Sequence, residues 1–220
     1  MSGKRLFIYC AGGTGRDVLH LVNVLQDHDP VWNEIYFIDD SCSFSVVNDT
    51  PVWTWAYYLE HRRAEDVFLA AHGEPRVRRQ IVSKLSDAGC RFEVLIAPDL
   101  RRSPYLAIDE GVMIFEGALF RDNISVGAHT YLSLRTTLGH NATVGQFCTL
   151  APGCIVSGNV TIGNDTYVGA GTIIRDEVSI GKNCIIGMGS LVTRDIPDNV
   201  VAYGSPCRVV RENTDGIVFR

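Results

Sequence analysis

The sequence lacks the features that mark several large classes of protein. No run of about 18 apolar residues occurs in the 220-residue chain, so no membrane partner is expected. Its seven cysteines form no CxxC pair and no metal-ligand spacing, which predicts free thiols in a reducing cytoplasm, with no disulfide and no metal. The basic start MSGKRLFIYC leads at once into glycines and charged residues, so we do not expect it to be a signal peptide.

An excess of one charge is also missing. The formal net charge is −5, and acidic and basic residues are nearly balanced on both sides of Pro98. Neither half is therefore a basic arm or an acidic tail, and nucleic acid is not an expected partner. Hydrophobic residues at 46% with charged residues at 20% describe an ordinary globular chain, long enough for two modest domains.

The C-terminal half carries a repeat of six residues. Every sixth position over 15 hexads is aliphatic or phenylalanine: Ile108, Ile114, Phe120, Val126, Leu132, Leu138, Val144, Leu150, Val156, Ile162, Val168, Ile174, Ile180, Ile186 and Val192. At this hydrophobic content, chance gives such a series with a probability of roughly 10⁻⁵, so the repeat is real.

This period indicates the hexapeptide pattern of a parallel β-helix. Three hexads make one triangular coil, so residues 18 apart align on successive coils, and the chain has enough hexads for five coils. The fourth residue after each aliphatic is mostly small or β-branched and is expected to fill a tight inner corner. Cys148, Cys154 and Cys184 fall in that column, where a thiol serves as a compact apolar filler.

The first hundred residues predict a small parallel α/β unit. Strands are expected at KRLFIYC (4–10), IYFID (35–39), DVFLAA (66–71) and RFEVLI (91–96), and helices at RDVLHLVNVLQ (16–26) and RVRRQIVSKLSDAG (76–89). The proline-containing segment APDLRRSPY (97–105) then links this unit to the repeat.

A glycine-rich turn follows the first strand. Residues 10–15, CAGGTG, match the dinucleotide fingerprint G-x-G-x-x-G except for Cys10 at its first glycine, and Asp39 lies near the spacing of a ribose-binding acid. Two interpretations stay open: a nucleotide site, or a strand-to-helix turn that needs glycine for its backbone alone. An NAD-dependent oxidoreductase is disfavoured, because fewer than 100 residues would have to hold both halves of the classical fold.

His140 interrupts the alternation of aliphatic and small residues. Counting from Leu138 places it at a coil corner, pointing outward, with Asp122 one coil before it and Gly158 one coil after it. It could be a solvent-facing corner histidine. The alternative is a general base beside a carboxylate and a glycine that lets a substrate approach. A three-histidine metal site is excluded, because the repeat contains only His129 and His140.

Five stretches together resemble the bacterial sugar acyltransferases of the sialic acid O-acetyltransferase type, which include UDP-4-amino-sugar N-acetyltransferases. They are GGTGRDV, YFIDD, LGHNATVGQFCTLAPGCIVSGNVTIG, VGAGTII and GSPCRVV. The resemblance implies a Rossmann-like α/β domain that binds a nucleotide sugar at residues 1–97. It implies a left-handed β-helix acyltransferase domain with a C-terminal tail at residues 98–220. A homotrimer with acetyl-CoA bound between neighbouring β-helices is implied as well.

Carried onto this sequence, the resemblance makes His140 the general base, and it directs the backbone N–H of Gly158 toward the developing oxyanion. Coenzyme A is implied to contact Gly158, Ala170, Met188, Gly204, Pro206 and Arg208. The sugar nucleotide is implied to contact Gly12, Gly13, Thr14, Gly15, Asp39, Asp40 and Ser133.

The chain departs from this family at three positions. Asn141 stands where the family often has a carboxylate, Ser133 where it often has Asn, and Thr14 where His or an aromatic residue is common. We expect Asp122 to supply the missing negative charge. Asn141 also has a simpler interpretation, because Asn123, Asn141 and Asn159 align as a corner ladder in which asparagine tolerates left-handed backbone.

The favoured function is acetyl-CoA-dependent N-acetylation of a nucleotide-linked amino sugar, of the 4-amino-4,6-dideoxy type, for surface glycans. O-acetylation of a sialic-acid-like sugar is the nearest alternative. A catalytically silent protein that binds a nucleotide sugar is the alternative from another class.

Overall fold

A computed structural model describes residues 4–218 of the chain. It divides into two compact units. The first runs to Gly73 and resumes at Val77–Leu95, and the second comprises Glu74–Arg76 and the residues from Ile96 onward.

The first unit is a parallel sheet with helices. Its sheet has the order β3-β4-β2-β1-β5-β6, in which all pairs are parallel except β3 with β4. The elements are β1 (Arg5–Tyr9), α1 (Gly13–His28), β2 (Glu34–Ile38), β3 (Val46–Val47), β4 (Thr50–Trp53), α2 (Trp55–His61), β5 (Val67–Ala70), α3 (Pro75–Asp87) and β6 (Arg91–Phe92).

The central strand β1 is buried along its whole length, which explains its uninterrupted apolar sequence. Its only charged residue, Arg5, is 2% exposed and donates through Nε and Nη2 to the carboxylate of Asp66 at 2.8 Å. That pairing allows a guanidinium to sit in a strand that is otherwise hydrophobic.

Sequence reasoning was wrong about RFEVLI, which it treated as one strand. The structure breaks it at Glu93 and Val94 into β6 and β7 (Leu95–Ile96), and β7 lies beside β9 in a sheet of the second unit. The hairpin β3–β4 and the helix α2 were not predicted. The hairpin turns through Asn48 and Asp49, whose φ values of 46° and 60° are left-handed.

The second unit is a left-handed parallel β-helix of hexapeptide repeats. It contains 15 short strands in five coils: β8 (Leu106–Ile108), β9 (Met113–Ile114), β10 (Leu119–Phe120), β11 (Ile124–Val126), β12 (Tyr131–Leu132), β13 (Thr137–Leu138), β14 (Thr143–Val144), β15 (Thr149–Leu150), β16 (Ile155–Val156), β17 (Thr161–Ile162), β18 (Tyr167–Val168), β19 (Ile173–Ile174), β20 (Ser179–Ile180), β21 (Ile185–Ile186) and β22 (Leu191–Val192).

These strands build three faces. Face 1 consists of β8, β11, β14, β17 and β20; face 2 contains β9, β12, β15, β18 and β21; and face 3 consists of β10, β13, β16, β19 and β22. The pairing confirms the predicted 18-residue register, as in Leu119 beside Thr137 beside Ile155. Face 2 is extended by β23 (Val200–Tyr203) and an antiparallel edge strand, β24 (Arg208–Glu212).

The predicted inner positions form the core of the β-helix. Leu132, Leu138 and Leu150 are fully buried, and so are Cys148, Cys154 and Cys184 in the small-residue column. Burial raises the pKa of the Cys154 thiol to about 12, so this sulfur is an inert filler. Many corners have left-handed backbone at Asn or Gly, which tolerate positive φ. Other corners impose the same conformation on His129, Arg135, Phe147, Asp165 and Glu177.

The outward residues differ between faces. Face 1 presents small polar side chains to solvent, namely Ser125, Thr143, Thr161 and Ser179. Face 3 presents apolar side chains that are 36% to 65% exposed, namely Leu119, Ile155, Ile173 and Leu191. Within residues 4–218, no helix is both long and apolar enough to cross a membrane.

Candidate active site

His140 lies in the turn between β13 on face 3 and β14 on face 1, with its side chain exposed. Its imidazole packs directly on Gly158, one coil further along. A Cβ added at Gly158 would lie 2.5 Å from Cε1 and 2.6 Å from Nε2 of His140. Position 158 must therefore be glycine for the ring to keep its place.

Four residues 18 apart share this corner: Asp122, His140, Gly158 and Asp176. The carboxylate of Asp122 accepts from the hydroxyl of Ser103, and no hydrogen bond joins it to His140 in the described part of the chain. The N–H of Gly158 donates to Oδ1 of Asp176 at 3.0 Å. Sequence reasoning missed Asp176, although the 18-residue register beyond Gly158 points to it.

Asn141 belongs to a hydrogen-bonded ladder along the same corner. Nδ2 of Asn123 donates to Oδ1 of Asn141 at 3.0 Å, and Nδ2 of Asn141 donates to Oδ1 of Asn159 at 2.9 Å. All three residues have left-handed backbone, with φ between 57° and 59°. Corner geometry therefore accounts for an asparagine at position 141.

The same amide also faces the histidine. Nδ2 of Asn141 lies 3.2 Å from Nδ1 of His140. Because an amide nitrogen only donates, this contact is a hydrogen bond when Nδ1 is unprotonated, and the proton then sits on Nε2. A carboxylate at position 141 would favour the opposite tautomer.

A groove of about 730 Å³ surrounds His140. It is formed by the outer surface of face 3, the neighbouring corner and the segment that precedes the β-helix. Its lining residues are Asp99, Arg101, Ala118, Leu119, Phe120, Arg121, Thr137, Gly139, His140, Ile155, Val156, Ser157, Gly158 and Asp176.

Several of the remaining candidate residues lie elsewhere on the β-helix. Ala170 and Met188 stack on successive coils at the corner between faces 2 and 3, where the N–H of Gly189 donates to Ala170 O at 2.8 Å. Met188 is 81% exposed, as an intermolecular contact would require. Neither residue lines the groove at His140.

Gly204 and Pro206 lie in the turn between β23 and β24, and Arg208 is the first residue of β24. Gly204 has a φ of 106°, and its N–H donates to the hydroxyl of Ser190 at 3.2 Å. Arg208 donates from Nη1 to Cys207 O at 2.8 Å and stays exposed. Ser133 is 5% exposed and does not line the groove, because it follows β12 on face 2. Its carbonyl accepts from the Thr136 hydroxyl at 2.7 Å.

In the first unit, the glycine-rich turn connects β1 to α1. Cys10 takes the left-handed conformation (φ 85°) that the fingerprint reserves for its first glycine. Gly15 must be glycine, since a Cβ there would lie 1.9 Å from Cys10 O. Gly12 and Gly13, at the start of α1, face open space, so their N–H groups offer the anion-binding end of a helix. Thr14, next to them, is half-buried.

Asp39 ties the end of β2 to this turn. Its Oδ2 accepts from the N–H of Ala11 at 2.9 Å, and its Oδ1 accepts from the N–H and hydroxyl of Ser41 at 2.9 and 2.6 Å. Burial acts to raise the pKa of Asp39, but these hydrogen bonds outweigh it and hold the pKa below its ordinary value.

Asp40 joins a polar cluster that sequence reasoning missed. Oδ1 of Asp40 accepts from the N–H of Trp55 at 2.7 Å, and its Oδ2 lies 3.3 Å from the ammonium of Lys84. That ammonium also donates to the Tyr9 hydroxyl and lies 5.0 Å from the ring centre of Trp55. Burial raises the pKa of Tyr9 despite the nearby lysine. The position of Tyr9 at the carboxyl end of β1 was the available signal.

No metal site accompanies these residues. Across residues 4–218, no three His, Cys, Asp or Glu side chains gather as a set of metal ligands.

Two family models match the chain. The PglD N-terminal domain matches residues 5–85, and the bacterial transferase hexapeptide (six repeats) matches residues 159–194. No curated protein matches at a significant level. The repeats and the groove on the β-helix define the class of the protein, which is an acyltransferase.

Solved structures resemble nearly the whole chain. The acetyltransferase domain of PglB from Neisseria gonorrhoeae is 28% identical with a TM-score of 0.87, covering 94% of this chain and 100% of that one. The same domain in complex with acetyl coenzyme A is 27% identical, with 95% and 100% coverage and a TM-score of 0.85. WeeI from Acinetobacter baumannii is 25% identical, with 94% and 100% coverage and a TM-score of 0.86.

PerB from Caulobacter crescentus, solved with CoA and GDP-perosamine, shares the fold at 24% identity, with 96% and 98% coverage and a TM-score of 0.83. The chain thus contains an N-terminal segment similar to the PglD N-terminal domain and a C-terminal series of bacterial transferase hexapeptide repeats.

Proposed function

We propose that the protein transfers an acetyl group from acetyl-CoA to the amino group of a nucleotide-linked sugar, in the biosynthesis of a surface glycan. The observation that carries the proposal is the imidazole of His140 packed on Gly158 inside the groove of an acyltransferase. The donor is supported by the acetyltransferase domain of PglB, which was solved with acetyl coenzyme A and is 27% identical to this chain.

His140 is the general base of this reaction. Acetyl-CoA supplies a thioester carbonyl, and His140 takes the proton from the acceptor amine as the amine nitrogen bonds to the carbonyl carbon. The C–S bond then breaks, and the proton passes from His140 to the sulfur of CoA, which leaves as the free thiol. Nε2 lies against Gly158. To accept a proton there, the ring must carry its own proton on Nδ1, so the Asn141 amide has to present its oxygen instead of Nδ2. Turning that amide over reverses the ladder with Asn123 and Asn159.

The N–H of Gly158 stabilises the negative charge that develops on the carbonyl oxygen. Asp176 occupies this N–H in the free protein, so the carboxylate of Asp176 has to swing away when the donor binds. Asp176 is exposed, which leaves its side chain room to move.

Coenzyme A runs past Ala170 and Met188 toward Gly204, Pro206 and Arg208. The exposure of Met188 supports this path, and so does the position of Arg208 beside the last coil. Residues 98–220 thereby carry acyl transfer.

Residues 1–97 hold the nucleotide of the acceptor. Gly12, Gly13, Thr14 and Gly15 contact the nucleotide at the start of α1, and Asp40 faces it beside Lys84. Asp39 supports the site indirectly by fixing the turn, because both of its carboxylate oxygens accept hydrogen bonds from backbone N–H groups there.

The active form is a homotrimer joined through face 3. Four of the five outward residues of this face are exposed and apolar, namely Leu119, Ile155, Ile173 and Leu191, whereas four of the five outward residues of face 1 are polar. Covering such side chains is worth about 25 cal/mol per Å² of apolar surface. Light scattering on wild type and Ile173→Asp tests the assembly: we expect a trimer that the charged variant dissociates.

The decisive experiment measures CoA release from acetyl-CoA with a panel of UDP-, dTDP- and GDP-linked amino sugars and with sialic acids. Wild type is compared with His140→Ala and with His28→Ala, which removes an exposed histidine at the end of α1. We expect His140→Ala alone to lower turnover, by about 10² to 10⁴. Full activity in His140→Ala contradicts the assigned base, and no CoA release with any acceptor contradicts the function.

A further inference from the structure

Two arginines line the groove around His140. Arg101 comes from the segment that precedes the β-helix, and Arg121 follows β10 on face 3. Both side chains are exposed, and within residues 4–218 neither guanidinium has a hydrogen bond or an ion pair.

The acidic residues of the same groove are already engaged. Asp99 accepts from the N–H of Gly117 at 2.8 Å, and Asp176 accepts from the N–H of Gly158 at 3.0 Å. Each carboxylate therefore completes the corner of a neighbouring coil instead of neutralising an arginine. The groove keeps two cationic groups with five N–H donors each for a ligand.

Arg121 is placed close to the reacting position by the register of the coils. Its N–H donates to Leu138 O at 3.0 Å, so it sits one coil before Gly139, the residue next to His140. The planar fork of arginine fits phosphate and carboxylate groups, both of which offer paired oxygens.

We propose that Arg101 and Arg121 bind an anionic group of the acceptor and so place its nucleophile at His140. This inference rests on the proposed function and narrows its acceptor to sugars with a negative charge near the acetylated position. The diphosphate of a nucleotide sugar and the carboxylate of a sialic-acid-like sugar share this chemistry.

A binding experiment tests the site without turnover. The Cε1–H resonance of His140, assigned with His140→Ala, is followed while inorganic pyrophosphate or N-acetylneuraminate is added. We expect a saturable shift in wild type, and affinity about tenfold weaker in Arg101→Gln and in Arg121→Gln. Arg102→Gln is the matched control, because Arg102 is exposed beside Arg101 and does not line the groove. Its binding should equal that of wild type.

Turnover then separates the two sources of the anion. CoA release is measured with a nucleotide-linked amino sugar, with a sialic acid and with a neutral amino-sugar glycoside. We expect Arg101→Gln and Arg121→Gln to raise KM for the anionic acceptor that the enzyme uses. Neither variant should change KM for the neutral glycoside. If KM rises for the nucleotide-linked amino sugar, the bound anion is the diphosphate. If KM rises for the sialic acid, the bound anion is the carboxylate.

The inference is overturned if neither anion shifts His140, or if Arg101→Gln and Arg121→Gln bind like Arg102→Gln. It is also overturned if the variants slow CoA release with the neutral glycoside as much as with the anionic acceptors. If the wild type binds an anion but releases no CoA with any acceptor, the anion site is supported and the proposed function is contradicted.

Discussion

The backbone N–H of Gly158 donates to Oδ1 of Asp176 across one coil, at 3.0 Å. This N–H is the group assigned to the developing oxyanion, so the carboxylate of Asp176 and the thioester carbonyl compete for one donor. Removal of the carboxylate frees the N–H at the cost of one corner hydrogen bond.

Asp176→Ala is therefore expected to lower KM for acetyl-CoA about three- to tenfold, the value of one net hydrogen bond, measured by CoA release. Asp198→Ala is the matched control, because Asp198 accepts from the N–H of Lys182 at 2.9 Å in the same way. Equal KM values in the two variants would show that the carboxylate does not compete with the donor.

Gly158→Ala is expected to lower turnover by about 100-fold or more, because its Cβ would displace the imidazole of His140. Gly163→Ala is the stricter structural control, because its Cβ would meet backbone, the N of Lys182 at 2.5 Å, at a corner without His140. Steady-state kinetics and thermal melting of both variants separate catalysis from stability. A Gly158→Ala enzyme as active as Gly163→Ala would remove His140 from the mechanism.

Asn141→Asp is expected to raise kcat about tenfold. A carboxylate accepts from Nδ1–H of His140, which leaves Nε2 free to take a proton, and a charge-assisted hydrogen bond is roughly twice as strong as a neutral one. Asn183→Asp is the matched control, because Nδ2 of Asn183 donates to Oδ1 of Asn199 at 2.9 Å in a ladder at another corner, and it should leave kcat unchanged. If both variants have wild-type kcat, the tautomer of His140 does not limit the rate.

The stability of the first unit should depend on pH through Asp39. Because hydrogen bonds hold the pKa of Asp39 below its ordinary value, this carboxylate stabilises the fold above that value. The contribution is lost as pH falls through the folded pKa. Thermal unfolding from pH 6 to pH 3 should show a smaller loss of stability in Asp39→Asn than in wild type. Asp27→Asn, on the exposed side of α1, should follow wild type; identical curves for all three would contradict the effect.

The β-helix could be predicted almost strand by strand, because each hexad carries one inward residue such as Leu138 or Val156. That single position fixes the register and the coil. Residues 41–62 show no such period, so α2 escaped prediction. The hairpin β3–β4 escaped as well, although Asn48 and Asp49 between two short apolar stretches were a usable turn signal.

The candidate site was predictable only along the 18-residue register. His140, Gly158 and Asp122 follow from counting, and Asp176 would have followed from one more step. Arg101 lies in the segment before the repeat, where no period tells which way a side chain points. The partners of Asp122 and Asp176 depend on side-chain rotamers, which spacing does not encode.

The constant register of the coils also sets a length scale. His140 lies in the turn after β13, and β22 lies three coils further on, beside the turn that contains Gly204. With about 4.8 Å per coil, the β-helix holds these two places about 14 Å apart along its axis. Removal or duplication of one 18-residue coil would leave the same kinds of packing contact in the core. It would change that distance by about 4.8 Å, the spacing of one coil. The number of coils thus sets the length of a ligand that has to reach from His140 to the turn that contains Gly204.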